Sequence, residues 1–247
     1  PLKAHDHTGL LEGLGDSWMS ANIFEFLHPR IRDGLVALGM EEPTPPQAKG
    51  IGPILRGENV LLVAPTASGK TEAALLPLFH RLLTEPREPS GIQLIYVTPL
   101  RALNRDIHRR LEFWAEHLNL DIQIRHGDTS QTIRRRQLMA PPQMLITTPE
   151  TLQAVLVSGQ MRENLRSVKS IVVDEIHELA DSKRGTQLTT GLERLELITD
   201  NPLQRVGLSA TVGNPEEIGE FLCGVGRRVQ IIEVPTAKPF EYRVEYP

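Results

Sequence analysis

The stretch LLVAPTASGKTEAALL, residues 61–76, decides how the rest of the chain is read. An apolar run ends at Ala64, a short polar loop follows, and a helical pattern opens at about Gly69. Strand, loop and helix in that order are the setting of a phosphate-binding loop, G-x-x-x-x-G-K-[ST]. Ala64 stands where the first glycine of that pattern belongs. A methyl group is tolerated there if the turn keeps negative φ. Ala67 is harder to accommodate, because at positive φ an alanine costs about 1–2 kcal/mol. In a phosphate loop the backbone N–H groups of Thr66, Ala67, Ser68, Gly69, Lys70 and Thr71 face the anion at a helix N-terminus. Lys70 reaches the β- and γ-phosphates, and the Thr71 hydroxyl ligates magnesium. On this loop alone, an ordinary helix start stays open.

A second stretch, SIVVDEIHELA (170–180), narrows the choice. An apolar strand delivers Asp174 and Glu175 at its carboxyl end. Two adjacent carboxylates after a buried strand are costly unless a cation compensates them. Beside a phosphate loop, one acid (Asp174) holds magnesium and its neighbour (Glu175) positions or activates water. A solvated helix start that favours acids would explain the pair alone, but not the pair together with the loop. The expectation is an ATP–Mg2+ site.

The 247 residues are 40% hydrophobic, enough for one large core or two small ones, and 23% charged with no repetitive block. The apolar runs, such as VLLVA at 60–64, fall short of the roughly 20 residues of a membrane span. No leader or lipidation pattern is evident, though the chain begins at Pro1. Cys223 is the sole cysteine, so an intrachain disulfide is excluded and a reducing, intracellular setting is expected. Its neighbours Ile218, Phe221 and Leu222 suggest a core position. A net charge of −4 argues against tight non-specific nucleic-acid binding but leaves local basic patches open.

Short β-branched runs, most of them continuously apolar, predict strands at 59–64, 92–98, 122–126, 144–148, 170–175, 205–211 and 229–234. Helical spacing is clearest over 100–118, where Leu100, Leu103, Ile107, Leu111, Trp114 and Leu118 form one stripe. Shorter patterns cover 71–83, 150–158, 187–198 and 215–223. Such alternation predicts an α/β fold, a mostly parallel twisted sheet with helices on both faces, and ligands at the carboxyl ends of its strands. Residues 1–21 read as a lead-in and 235–247, with three prolines, as a linker.

Assembled in order, these motifs resemble the first RecA-like domain of superfamily 2 helicases of the DEAD/DEAH-box type, over residues 22–234. TPPQ (44–47) resembles the glutamine motif, which implies that Gln47 reads adenine; a capping or surface glutamine is the alternative. APTASGKT is similar to motif I, with Ala67 in place of the glycine most members carry. TPLRAL (98–103) and TTPE (147–150) resemble motifs Ia and Ib, implying nucleic-acid contacts at Pro99, Arg101, Thr148, Pro149 and Glu150. The N-termini of the helices that follow suit backbone phosphates without reading sequence. DEIH (174–177) resembles motif II and SAT (209–211) motif III. This implies that His177, otherwise an inert exposed histidine, couples the phosphate site to Ser209, Thr211 and a partner domain. HPRI (28–31), HGDTS (126–130), TTPETL (147–152) and VDEIHELADSKRG (173–185) make the chain most similar to the large helicase-related (Lhr) group, with Ski-like and Hel-like archaeal helicases nearby.

Arg105 and Arg109, and the run Arg134–Arg136, read as solvated surface rather than contacts. Gly127 and Asp128 shape a turn beside the nucleic-acid path. The motor of this superfamily clasps ATP between two RecA-like domains, and the second supplies an arginine to the transferred phosphoryl group. Beyond Thr211 the sequence has room for one more strand and a linker only. The expectation is half of a helicase that works on DNA or RNA, with single strand as the partner and a second RecA-like domain elsewhere. A duplex translocase, or a nucleotide-dependent binding module with a vestigial ATPase, are the alternatives. No membrane association is expected.

Overall fold

The computed structural model describes residues 22–85, 91–99, 101–210 and 212–235, without the side chains of 101–106 and 108. The expected lead-in, nearly all of the expected linker, Leu100 and Thr211 lie outside these residues, as do the side chains of Arg101, Leu103 and Arg105.

Seven strands form one sheet, all paired in parallel: β1 (Val60–Val63), β2 (Leu94–Val97), β3 (Ile122–Arg125), β4 (Met144–Thr147), β5 (Ser170–Val173), β6 (Gln204–Ser209) and β7 (Gln230–Glu233), in the order β3-β4-β2-β5-β6-β1-β7. Each lies at a run read from the sequence, with ends shifted by a residue or two; β6 begins one residue earlier than expected. Alternate residues enter opposite cores. Val60, Leu62, Leu94 and Tyr96 join one cluster, Leu61, Val63, Ile95 and Val97 the other. Covering both faces is what turns these strands into unbroken apolar runs.

The first face carries α1 (Pro29–Ala37), α2 (Pro45–Leu55), α3 (Lys70–Thr84) and α4 (Arg101–Leu118). Ile107, Leu111, Trp114 and Leu118 bury the stripe expected for α4. Gly34 makes room for Trp114, whose ring carbon lies 2.6 Å from where a β-carbon would stand. Helix α5 (Gln131–Met139) follows β3. The second face carries α6 (Pro149–Val157), α7 (Gly159–Glu163), α8 (His177–Ala180), α9 (Lys183–Glu196) and α10 (Pro215–Cys223). Helix α9 starts four residues before the expected 187, because the Ser182 hydroxyl accepts the Gly185 N–H at 3.1 Å and caps it there.

Registers set the functional rim. Val97 pairs with both Thr147 and Val173, and Val63 with Ser209. One step further, Ala64 donates to the Ser209 carbonyl, Thr98 to Thr147 and Asp174 to Val97. The strand ends that lead into motifs I, Ia, Ib, II and III therefore stand level along one edge.

Candidate functional site

The loop between β1 and α3 turns through two left-handed residues, Ala67 at φ 60° and Gly69 at φ 91°. The strain anticipated for alanine at position 67 is therefore present. Gly69 is constrained twice: a β-carbon would also come within 2.8 Å of Gln47 Nε2 and Thr44 Oγ1. The crowding comes from this pair beneath the loop. Gln47 is fully buried, and its Oε1 accepts the Thr44 N–H at 2.9 Å, capping α2. Its Nε2, Thr44 Oγ1 and Ser68 Oγ are buried without a hydrogen-bond partner, three polar atoms gathered around the loop.

Lys70 opens α3, and its ammonium donates to the carbonyls of Ala64 (2.5 Å) and Pro65 (3.3 Å). Burial lowers its pKa, opposed by the charges of Glu175 and Asp174, which lie within electrostatic reach. Asp174 follows β5 and is nearly buried; its Oδ2 accepts the Tyr96 phenol at 2.7 Å and its Oδ1 the Glu175 N–H at 3.0 Å. Burial raises the pKa of both acids; for Glu175 the neighbouring Asp174 charge adds to it. Glu175 is held at φ 45°, a left-handed backbone rare for its type. The Thr71 hydroxyl lies beside the same Tyr96 oxygen. Lys70, Thr71, Asp174 and Glu175 thus converge on one side of the rim.

His177 Nδ1 stands 3.5 Å from Glu175 Oε2, accepts the Ala210 N–H at 3.3 Å and lies 3.3 Å from Ser209 Oγ. Ser209 therefore meets the histidine of the DEIH motif and neither carboxylate.

At the neighbouring strand ends the threonines serve the fold. Thr147 Oγ1 donates to the Arg125 carbonyl, and the buried Thr148 Oγ1 caps α6 by accepting the Thr151 N–H. Pro149 is buried in the first turn, and Glu150 is exposed. Arg101 begins α4. Two residues here escaped the sequence reading. Arg184 reaches from α9 to Glu150 Oε1 and the Pro99 carbonyl, each at 2.5 Å, and ties the two expected nucleic-acid segments together. Tyr96 sits inside IQLIYVT, where it reads as one more core residue.

Asp174 and Thr71 supply oxygen ligands suited to Mg2+, which is held by one or two carboxylates with phosphates and water completing the shell. Among the described residues no cluster of three or more His, Cys, Asp or Glu could cage a metal alone. The donor set therefore fits a cation that arrives with a phosphate chain. Among the same residues no helix is long and apolar enough to cross a membrane.

A match to the DEAD/DEAH box helicase family spans residues 44–218, from the glutamine motif past the SAT triplet. The chain belongs to that family. Among DEAD/DEAH box helicases it is 43% identical over 83% of its length to an Lhr helicase/probable uracil glycosylase of Mycolicibacterium smegmatis, covering 14% of that protein. An ATP-dependent helicase Lhr-Core of Sulfolobus acidocaldarius is 41% identical over 83% of this chain, which covers 25% of it. The Mycobacterium smegmatis helicase Lhr bound to ssDNA and AMP-PNP superposes with a TM-score of 0.81 at 39% identity, over 90% of this chain and 29% of that one. The chain thus spans a quarter or less of the length of these two curated relatives.

Proposed function

We propose that the chain is the ATP-binding half of an Lhr-type helicase motor. Residues 22–234 form the first RecA-like domain, 235–247 lead toward a second, and the setting is intracellular and reducing. The observation that carries this reading is the convergence of Lys70, Thr71, Asp174 and Glu175 on one rim of a parallel sheet. The ammonium of Lys70 now held by two loop carbonyls would be taken over by β- and γ-phosphate oxygens. Thr71 and Asp174 would hold Mg2+, which would screen the phosphate charge. Glu175 would orient the attacking water, and His177 with Ser209 and Thr211 would link that step to the partner domain. The backbone of residues 66–71 would cradle the phosphates and Gln47 would meet the base. Pro99, Arg101 and the α6 N-terminus at Thr148, Pro149 and Glu150 would follow a single strand. The ssDNA and AMP-PNP named for the similar Lhr structure support both ligands.

Titration with a fluorescent ATP analogue, with and without Mg2+, tests the reading. Saturable, Mg2+-strengthened binding is expected from this chain, with very slow hydrolysis and no unwinding. In the full-length motor, Lys70→Ala should abolish nucleotide binding, while Glu175→Gln should bind and not turn over. Normal ATPase from either variant would count against these roles.

A further inference from the structure

Asp174 needs more than its place in the chain to serve as a metal ligand. A carboxylate has two oxygens and about four lone-pair directions, and a rotation about its side chain would turn the outward pair away from the phosphates. Two donors prevent that rotation. The Glu175 N–H on Oδ1 is local. The donor on Oδ2 comes from 78 residues away, the phenol of Tyr96 at 2.7 Å.

The sheet register brings them together. Tyr96 pairs with Val172, and Asp174 lies two residues beyond, on the same face of the neighbouring strand. The Tyr96 ring is fully buried among the apolar residues under α3 and α4, so its oxygen is located by core packing and not by a loop. The Thr71 hydroxyl lies beside that oxygen. One phenol therefore stands between the two expected magnesium ligands.

We infer that Tyr96 is a positioning residue that holds the Asp174 carboxylate in its metal-ligating rotamer. The inference rests on the ATP–Mg2+ reading above. The phenol touches neither nucleotide nor cation; it acts through Asp174, and through Thr71 beside it. Its strand ends at Val97, and the chain runs on through Thr98 to Pro99, so it adjoins the segment expected to follow nucleic acid. A phenylalanine would fill the same core volume but leave Oδ2 of a nearly buried carboxylate without its donor.

The test is a fluorescent ATP-analogue titration of this chain and of Tyr96→Phe and Asp174→Asn, in EDTA and over a Mg2+ series, with thermal melts in EDTA. Tyr96→Phe should bind nucleotide in EDTA as the parent does, and its half-saturating Mg2+ should rise about tenfold, as for the loss of outer-shell partners of metal sites. A loss of affinity equal with and without Mg2+, accompanied by a lower melting temperature, would show a packing role only and overturn the inference. If Tyr96→Phe follows the parent Mg2+ curve while Asp174→Asn loses its Mg2+ response, the inference fails and the site reading stands. If parent and Asp174→Asn are both indifferent to Mg2+, the site reading fails and takes the inference with it.

Discussion

Three non-glycine residues carry positive φ among the described residues, and two of them, Ala67 and Glu175, face the candidate site. Such strain gathers where geometry is set by function. At Ala67 the methyl group is held at φ 60° in an exposed turn, so Ala67→Gly should stabilise the chain by about 0.5–1 kcal/mol. That figure is the relief of a left-handed alanine less the entropy a glycine adds to the unfolded chain. Urea denaturation measures it, and no gain would mean that the turn relaxes around alanine. Lys70, Thr71, Asp174 and Glu175 were legible from the sequence because their chemistry and order are distinctive. Tyr96 was not, since a hydroxyl in an apolar strand shows its partner only when the register is known. Gln47 shows the converse: its cap on α2 is visible in the structure as a local hydrogen bond, the alternative that the sequence left open.

At the scale of elements, the strands were legible and several helices were not. Seven apolar runs became seven strands; the five inner ones are covered on both faces, while β3 and β7 lie at the edges and are only partly buried. Helices α1 and α2 carry Pro29, Pro45, Pro46 and Pro53 and have no clear stripe; they form because proline suits a first turn and tertiary packing supports the rest. Arg134, read as solvated, instead donates to the Gly127 carbonyl at 2.7 Å and braces the HGDTS turn. Arg184 does similar work between α9 and the two rim loops. Burial raises the Glu150 carboxyl, but the hydrogen bonds from Arg184, its own backbone N–H and Thr148, with the Arg184 charge, together outweigh it, and the net shift is downward. Both partners are well exposed, so Arg184→Ala should cost less than about 1 kcal/mol of stability. Hydrogen exchange should quicken at Pro99-flanking amides and the start of α6, and single-strand affinity should fall. Unchanged exchange in both segments would mean that the tie is incidental.

At the scale of the molecule, the N-terminal edge of the sheet is held by a buried charge. Arg205 on β6 is 1% exposed and donates to Glu193 (2.9 Å), Glu196 (3.0 Å) and the carbonyls of Leu222 and Cys223 at the end of α10. Removing both acids, Glu193→Ala with Glu196→Ala, would strand that charge and should cost about 3 kcal/mol, far more than either change alone. The Arg227 hydrogen bond, followed by Arg205, holds the Glu193 carboxyl below its ordinary value. A lowered carboxyl contributes stability that is complete above the ordinary glutamate range and is lost as pH falls through the lowered value. Urea midpoints of Glu193→Gln should therefore decline less on acidification than those of the parent. Parallel pH curves would discount the pair. Sequence alone determined that strands and helices alternate, that phosphate-loop and acidic-motif residues each end a strand, and that the chain resembles a helicase half. Residue type and local period encode those properties directly. Only the tertiary structure decided that Tyr96 meets Asp174, that Arg184 joins Pro99 to Glu150, and that Arg205 is buried among glutamates. The first two join residues 34 to 85 positions apart, which the order and register of parallel strands, stated by no local pattern, bring within a hydrogen bond. Arg205 lies only 9 and 12 positions from its glutamates, but nothing local shows that the sheet buries it against them.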